Sequence, residues 1–176
     1  SERLLSGLEG LNWTDSIKEA QRNWVGRSEG ALVRFKTSSG GNVEVFTTRP
    51  DTIYGVSFIV LAPEHELVSE LTTEENRKSV ETYIVATERK SERERQGEKE
   101  VTGVALGGSV LHPLTGKEIP VYIAEYVLAG YGTGAIMAVP AGDERDWKFA
   151  KHYNIEIPAI FEGVSTDETV CTEEAA

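Results

Sequence analysis

The sequence predicts an α+β fold, a small antiparallel, barrel-like β core decorated with helices. Three observations carry this reading. Short segments alternate apolar and polar residues with period two. Turn signals of hairpin length, rich in Gly, Asn and Pro, join most of them. Helical patterns are too few to alternate one for one with the strands, as a doubly wound parallel sheet requires. At 176 residues the chain suffices for one well-buried core, and no internal repeat divides it. A single domain is expected over residues 1–163, followed by a polar, acidic tail over residues 164–176.

Each element has its own signal. "TDSIKEAQRNWVG" reads as a helix, with Ser16 and Glu19 at capping-box spacing and Ile17, Ala20 and Trp24 at helical intervals before Gly26. "ALVRFKT" and "VEVFTT" alternate in period two across "SSGGN", whose Gly and Asn suit the positive φ of a hairpin loop. "VSFIVLA" is an apolar run of strand length. "PEHELVSEL" and "TTEENRKSVETYIVATERK" carry helical periodicity, as one long or two short helices, with Thr72 and Glu75 spaced as a second capping box. The run Glu88–Glu100, "ERKSERERQGEKE", has dense mixed charge and no apolar face, which predicts a solvated helix end and a mobile loop. Strands follow on either side of "PLTGKE", and "GAIMAV" forms another after "AGYGTG". "GDERDWKFAKHY" is helical, with Trp147, Ala150 and Tyr153 spaced to face a core, and "IEIPAIF" is a last short strand.

Composition narrows the classes of function. No apolar run reaches the length of a membrane span. The opening "SERLLSGLEGLNW" lacks an initiator Met and the marks of a signal peptide, so it reads as a cut within a longer chain. Cys171 is the single cysteine, and no Cys or His cluster has metal-ligand spacing; a reducing compartment and no structural zinc are expected. A formal charge of −11 opposes gripping a nucleic acid backbone, because phosphate contacts need Lys and Arg.

Two stretches carry candidate chemistry. "TTRPDT", Thr47 to Thr52, places three hydroxyls, an arginine and an aspartate at the end of a strand. Pro50 fixes φ and biases Arg49 towards an extended backbone, Asp51 can cap neighbouring amides, and Thr47 and Thr48 point to opposite faces of the strand. A proline turn after a β-branched strand and the floor of a site are both compatible with that pattern. "GYGTGAIMAVPAGDERDW" is the other stretch. Its glycines feed a strand and lack a following Lys-Ser or Lys-Thr, which argues against a phosphate loop and for close backbone approach. Asp143 and Asp146 begin a helix, where carboxylates cap free amides; their spacing of three sets them on one helical face. Arg49 and Arg145 suit pairing with carboxylates. His65, His112 and His152 sit in unrelated contexts and read as surface or packing residues, so no nucleophilic triad is assigned.

Four blocks in order, "QRNWVGRSEG", "TTRPDT", "HPLTGKEIPV" and "GYGTGAIMAVP" with "GDERDW", together resemble the editing domain (connective polypeptide 1) of leucyl-tRNA synthetases. Isoleucyl and valyl relatives share a threonine-rich stretch and "GTG", whereas "QRNWVGRSEG" and "AVP" before an Asp, Arg, Asp run look like the leucyl version. The resemblance implies a β-barrel editing domain of the class I synthetases. Such a domain hydrolyses the ester that joins a wrong amino acid, norvaline, isoleucine or a methionine-like residue, to the 3′ end of tRNA(Leu). A second sieve is needed because a missing methylene discriminates by only about 1–3 kcal/mol.

By the same resemblance, Asp146 would bind the α-ammonium of the mischarged amino acid, and Thr47 and Thr48 would line the site as donors to substrate or water. Thr52 would be the sieve that crowds leucine. Met137 and Val139 would form an apolar wall with Tyr131 close by, and Arg49, Asp51, Asp143 and Arg145 would support the site. The domain is expected to need no cofactor or metal of its own, ATP being used elsewhere in the parent synthetase. Its expected partners are the aminoacylated 3′ end of tRNA(Leu) and the rest of the synthetase chain, in a monomeric cytoplasmic enzyme. One departure stands out: the family's "HD" is Gly142-Asp143 here, which implies an altered grip on the tRNA end. A catalytically weak module that only binds that end is the alternative.

Overall fold

The computed structural model describes residues 2–26, 29–97 and 101–160. The acidic tail and Cys171 lie outside them. Residues 1–30 and 31–176 form two units. The first holds α1 (Glu2–Glu9) and α2 (Asp15–Val25), linked by an ion pair of Arg22 with Glu9 at 3.3 Å. Thr14, not Ser16, is the N-cap residue of α2 and makes no side-chain capping bond, so the expected capping box is absent.

The second unit is built on six strands: β1 (Ala31–Thr37), β2 (Asn42–Thr47), β3 (Phe58–Leu61), β4 (Val104–Leu111), β5 (Glu118–Ile123) and β6 (Ala135–Ala138). They form one mixed sheet in the order β2-β1-β4-β5-β3-β6. The β1–β2 hairpin follows the sequence signals, with Ala31 opposite Thr47 and Lys36 opposite Asn42, and Gly40 supplies the one positive φ of its turn at 96°. Two expectations are corrected. β3 pairs with β5 in parallel, Ile59 beside Val121, because β3 is followed by helices and a long return, not by a hairpin. The sheet is also not closed: β2 and β6 come near each other, yet no ladder joins them among the described residues.

Helices α3 (Val68–Leu71), α4 (Glu74–Glu88), α5 (Glu92–Gly97) and α6 (Glu144–His152) complete the unit. The second capping box is displaced as well, since Thr73 is the N-cap of α4 and its side chain makes no cap bond. Across α3, β4 carries an irregularity between Ala105 and Ser109. A Cβ on Gly108 would stand 2.5 Å from the Leu71 carbonyl oxygen, so only glycine lets these backbones approach so closely. "IEIPAI" does not form a strand.

Apolar side chains fall into two clusters, one on each side of the sheet. Alternation along β3 and β5 sends Ile59, Leu61, Val121 and Ile123 into the first with Phe35 and Leu106, and Phe58, Val60 and Tyr122 into the second. Both faces of β3 are covered, which is why its sequence is continuously apolar. The second cluster seats α6. Phe149, fully buried, stacks on Phe58 at 5.0 Å and meets Tyr122 at 5.2 Å and Tyr153 at 4.4 Å; Ala150 and Tyr153 face this core as expected, whereas Trp147 is only partly buried and Phe149 takes its place. Phe149→Ala is expected to lower stability by about 3–5 kcal/mol, read as a fall in urea midpoint at unchanged slope.

Candidate active site

The turn from β6 into α6 sets the geometry of the site. Val139 follows the strand, and its carbonyl accepts from the amides of Gly142 at 2.9 Å and Asp143 at 3.1 Å. Asp143 caps the helix, its Oδ1 accepting from the amides of Arg145 at 2.8 Å and Asp146 at 3.0 Å. The helix-start reading therefore holds for Asp143. Asp146 differs: it is 7% exposed, and its Oδ2 accepts from the Val139 amide at 2.9 Å. No donor reaches its Oδ1 among the described residues.

Asp146 lines a cavity of about 390 Å³ with Asp143, Arg145, Met137, Ile136, Tyr131 and the segment Tyr126–Leu128. Five of the sequence-derived site residues thus share one hollow: Tyr131, Met137, Asp143, Arg145 and Asp146. Val139 borders it through its bond to Asp146. The Arg145 guanidinium lies over the Tyr126 ring, 5.1 Å from its centroid. Burial, reinforced by the negative charge of Asp143, pushes the Asp146 carboxyl up to about 7, against the Val139 amide and Arg145, which favour the charged form. Burial likewise raises the Tyr126 phenol well above its usual value.

Thr47, Thr48, Arg49, Asp51 and Thr52 do not line this cavity. Thr47 ends β2, and Pro50–Gly55 form a short 3₁₀ helix. Two of the three hydroxyls bind the backbone of Arg49: Thr47 Oγ1 accepts from its amide at 3.0 Å, and Thr52 Oγ1 donates to its carbonyl at 2.9 Å. Thr48 is exposed and its hydroxyl has no partner among the described residues. Arg49 pairs with Asp51 at 3.0 Å, and this guanidinium holds the exposed Asp51 carboxyl below its ordinary value. The bend adjoins the acid through Val139, for a Cβ on Gly55 would stand 3.0 Å from Val139 Cγ1.

Sequence reasoning left His112 as a packing residue, and the structure gives it a definite task. It is buried, its Nε2 donates to the Ile53 carbonyl at 2.8 Å, and its Nδ1 accepts from the amides of Leu114 and Thr115, each at 3.2 Å. Those partners fix the neutral Nε2–H tautomer and tie the 3₁₀ helix to the "HPLTGK" turn. Gly134, at a φ of +69°, packs on Ala129 and His65, so its close approach is to protein. Tyr126, Val127, Leu128 and Ile136 are not among the expected site residues: Tyr126–Leu128 lie outside every motif, and Ile136 lies within the "GYGTGAIMAVP" block without being singled out there.

The profile described as "Leucyl-tRNA synthetase, editing domain" matches residues 22–176. The chain belongs to this family. The leucine–tRNA ligase of Porphyromonas gingivalis is 55% identical over 178 residues, covering 99% of the chain and 19% of that protein. That of Chlamydia felis is 51% identical, covering 95% of the chain and 20% of its own length. Among solved structures, the ternary complex of Agrobacterium radiobacter K84 agnB2 LeuRS with tRNA and LeuAMS matches at a TM-score of 0.76 and 37% identity, covering 94% of the chain and 21% of that protein. This editing domain therefore spans about a fifth of the length of the relatives it matches.

Asp146 also gives the editing domain a distinctive acid–base signature. Its folded value lies above the unfolded one, so the native state holds an extra proton between about pH 4 and about pH 7, and stability from this group is lost as pH rises through that window. The loss is on the order of 4 kcal/mol. Asp146→Asn, which cannot ionise, is expected to remove the decline. Urea titrations at both ends of the window read it, and parallel curves for the two proteins would rule out a raised Asp146.

Proposed function

We propose that this editing domain hydrolyses the ester of tRNA(Leu) charged with a noncognate amino acid such as norvaline, isoleucine or a methionine-like residue. The observation that carries the reading is Asp146: a buried carboxylate with one oxygen held by a backbone amide and the other free beside a cavity with apolar walls. Such a group is costly to ionise alone and strongly favoured to ionise beside a cation. An α-ammonium supplies that cation, and a charge-assisted contact in a partly dry hollow orients the ester for attack by water. Met137, Ile136, Val127 and Leu128 provide apolar surface, and Thr48 offers an uncommitted hydroxyl. Thr52, its hydroxyl bound to Arg49, lies on the bend beside Val139 and outside the cavity lining, so the sieve role requires the substrate side chain to reach from the hollow to its methyl. Hydrolysis on this scheme needs neither a covalent enzyme intermediate nor a cofactor in the domain. ATP chemistry belongs to the rest of the synthetase, which also holds the body of the tRNA that a chain of charge −11 holds poorly. The tRNA in the solved LeuRS complex supports this partner.

A second reading, a module that binds the aminoacylated end without cleaving it, is favoured by Gly142, which offers no side chain beside the acidic cap where the family has a histidine. Incubating norvaline-charged and isoleucine-charged tRNA(Leu) with the domain in its synthetase separates the two. Hydrolysis predicts ester loss well above the buffer rate; binding alone predicts the buffer rate.

Removing the carboxylate in Asp146→Ala is expected to lower deacylation about 100-fold or more with the fold intact, and wild-type rates would exclude the ammonium role. Thr52→Ala is expected to admit leucine. Correctly charged leucyl-tRNA would then be cleared about 10-fold or more faster than by the wild type, whereas its survival would remove Thr52 as the sieve.

A further inference from the structure

The charged run Glu88–Glu100 finds no use in the scheme above, yet it contains the one buried Lys or Arg among the described residues. Arg95, on α5, is 6% exposed. Its Nε donates to the Glu125 carbonyl at 2.7 Å and its Nη2 to the Val127 carbonyl at 3.0 Å, while Nη1 pairs with Glu64 at 2.6 Å. The expectation of a solvated helix end and a mobile loop is thereby corrected at Arg95, while residues 98–100 of the run lie outside the described residues. Its guanidinium fork grips the carbonyls on either side of Tyr126, so the backbone of that residue is fixed at both flanks.

A second set of contacts holds the same place. The Glu125 amide donates to the Tyr83 hydroxyl at 3.0 Å, and Thr102 Oγ1 donates to Glu125 Oε1 at 3.0 Å. Tyr83 and Thr102 share a hydrogen bond at 2.9 Å, and Lys90 pairs with Glu125 at 2.9 Å. What all these groups hold is cavity wall, for Tyr126, Val127 and Leu128 line the hollow of Asp146. The Tyr126 hydroxyl is buried without a hydrogen-bond partner among the described residues.

We propose that Arg95, with Tyr83 and Thr102, is a positioning residue of the editing reaction: by gripping the carbonyls of Glu125 and Val127 it fixes the Tyr126–Leu128 wall against Asp146. The inference rests on the editing reading and deepens it. Arginine is required because its planar fork spans two carbonyls and a carboxylate at once, whereas the single ammonium of lysine does not.

The test compares Arg95→Lys, which keeps the charge beside Glu64 and loses the fork, with Glu64→Gln, which keeps the fork and removes the ion pair. Two quantities are read at a temperature where each variant is folded: deacylation of norvaline-charged tRNA(Leu) by the full synthetase, and titration of the Asp146 carboxyl by NMR. Arg95→Lys is expected to lower kcat about 10-fold with KM within about threefold, and to move the Asp146 titration towards the ordinary carboxylate range as water enters. Glu64→Gln is expected to stay within about twofold of wild type on both readouts. Equal losses in the two variants, or wild-type kcat and titration in Arg95→Lys, would overturn the proposal. Should Arg95→Lys not fold, Thr102→Val loosens the same segment without touching a charge, and an unchanged kcat and titration there overturns it equally. A wild-type synthetase that clears the ester no faster than buffer would instead remove the editing reading, and the Asp146 titration alone would then decide the positioning.

Discussion

The hydrogen bond from the Val139 amide to Asp146 is the contact on which the site depends. Val139 follows β6, its carbonyl receives the first amides of the following turn, and its side chain meets the 3₁₀ helix at Gly55. Three elements therefore converge on one residue: the edge strand, the acidic helix start and the threonine bend. Asp146 is held in the hollow by that bond and by the helix that Phe149 anchors from the opposite side.

Two carboxylates three positions apart, Asp143 and Asp146, have opposite surroundings. Asp143 is exposed and gives its charge to the free amides of α6, an arrangement that stabilises a helix start. Asp146 is taken out of water, and the neighbouring charge of Asp143 makes its ionisation harder. Only one backbone amide and Arg145 act in the other direction. A buried acid in that balance ionises less readily than a solvated carboxylate, and a cation beside it would favour its charged form.

The polar groups around this centre are largely spoken for. Thr47 and Thr52 spend their bonding capacity on the Arg49 backbone, His112 fixes the helix that follows, and the Arg95, Tyr83 and Thr102 network fixes the far wall. Among the described residues, Asp146 Oδ1, the Thr48 hydroxyl and, in the buried interior, the Tyr126 and Ser57 hydroxyls have no partner, against a framework in which nearly every buried polar atom has one.

The strands β1 and β2, the apolar β3, the turn at "PLTGKE" and α6 were legible in the sequence because each depends on local periodicity or turn chemistry. So were the Asp143 cap and, through the ordered blocks, the family. The parallel pairing of β3 with β5 and the open edge were not, since the helices between β3 and β4 leave partner choice to packing across the sheet. Local spacing gave Asp143 and Asp146 the same appearance. Burial separated them, and burial depends on Met137 and the Tyr126–Leu128 wall, which come from other parts of the chain. Arg95 shows the same limit most plainly: within a charged run it looks solvated, and only the carbonyls of a segment thirty residues away turn it inward.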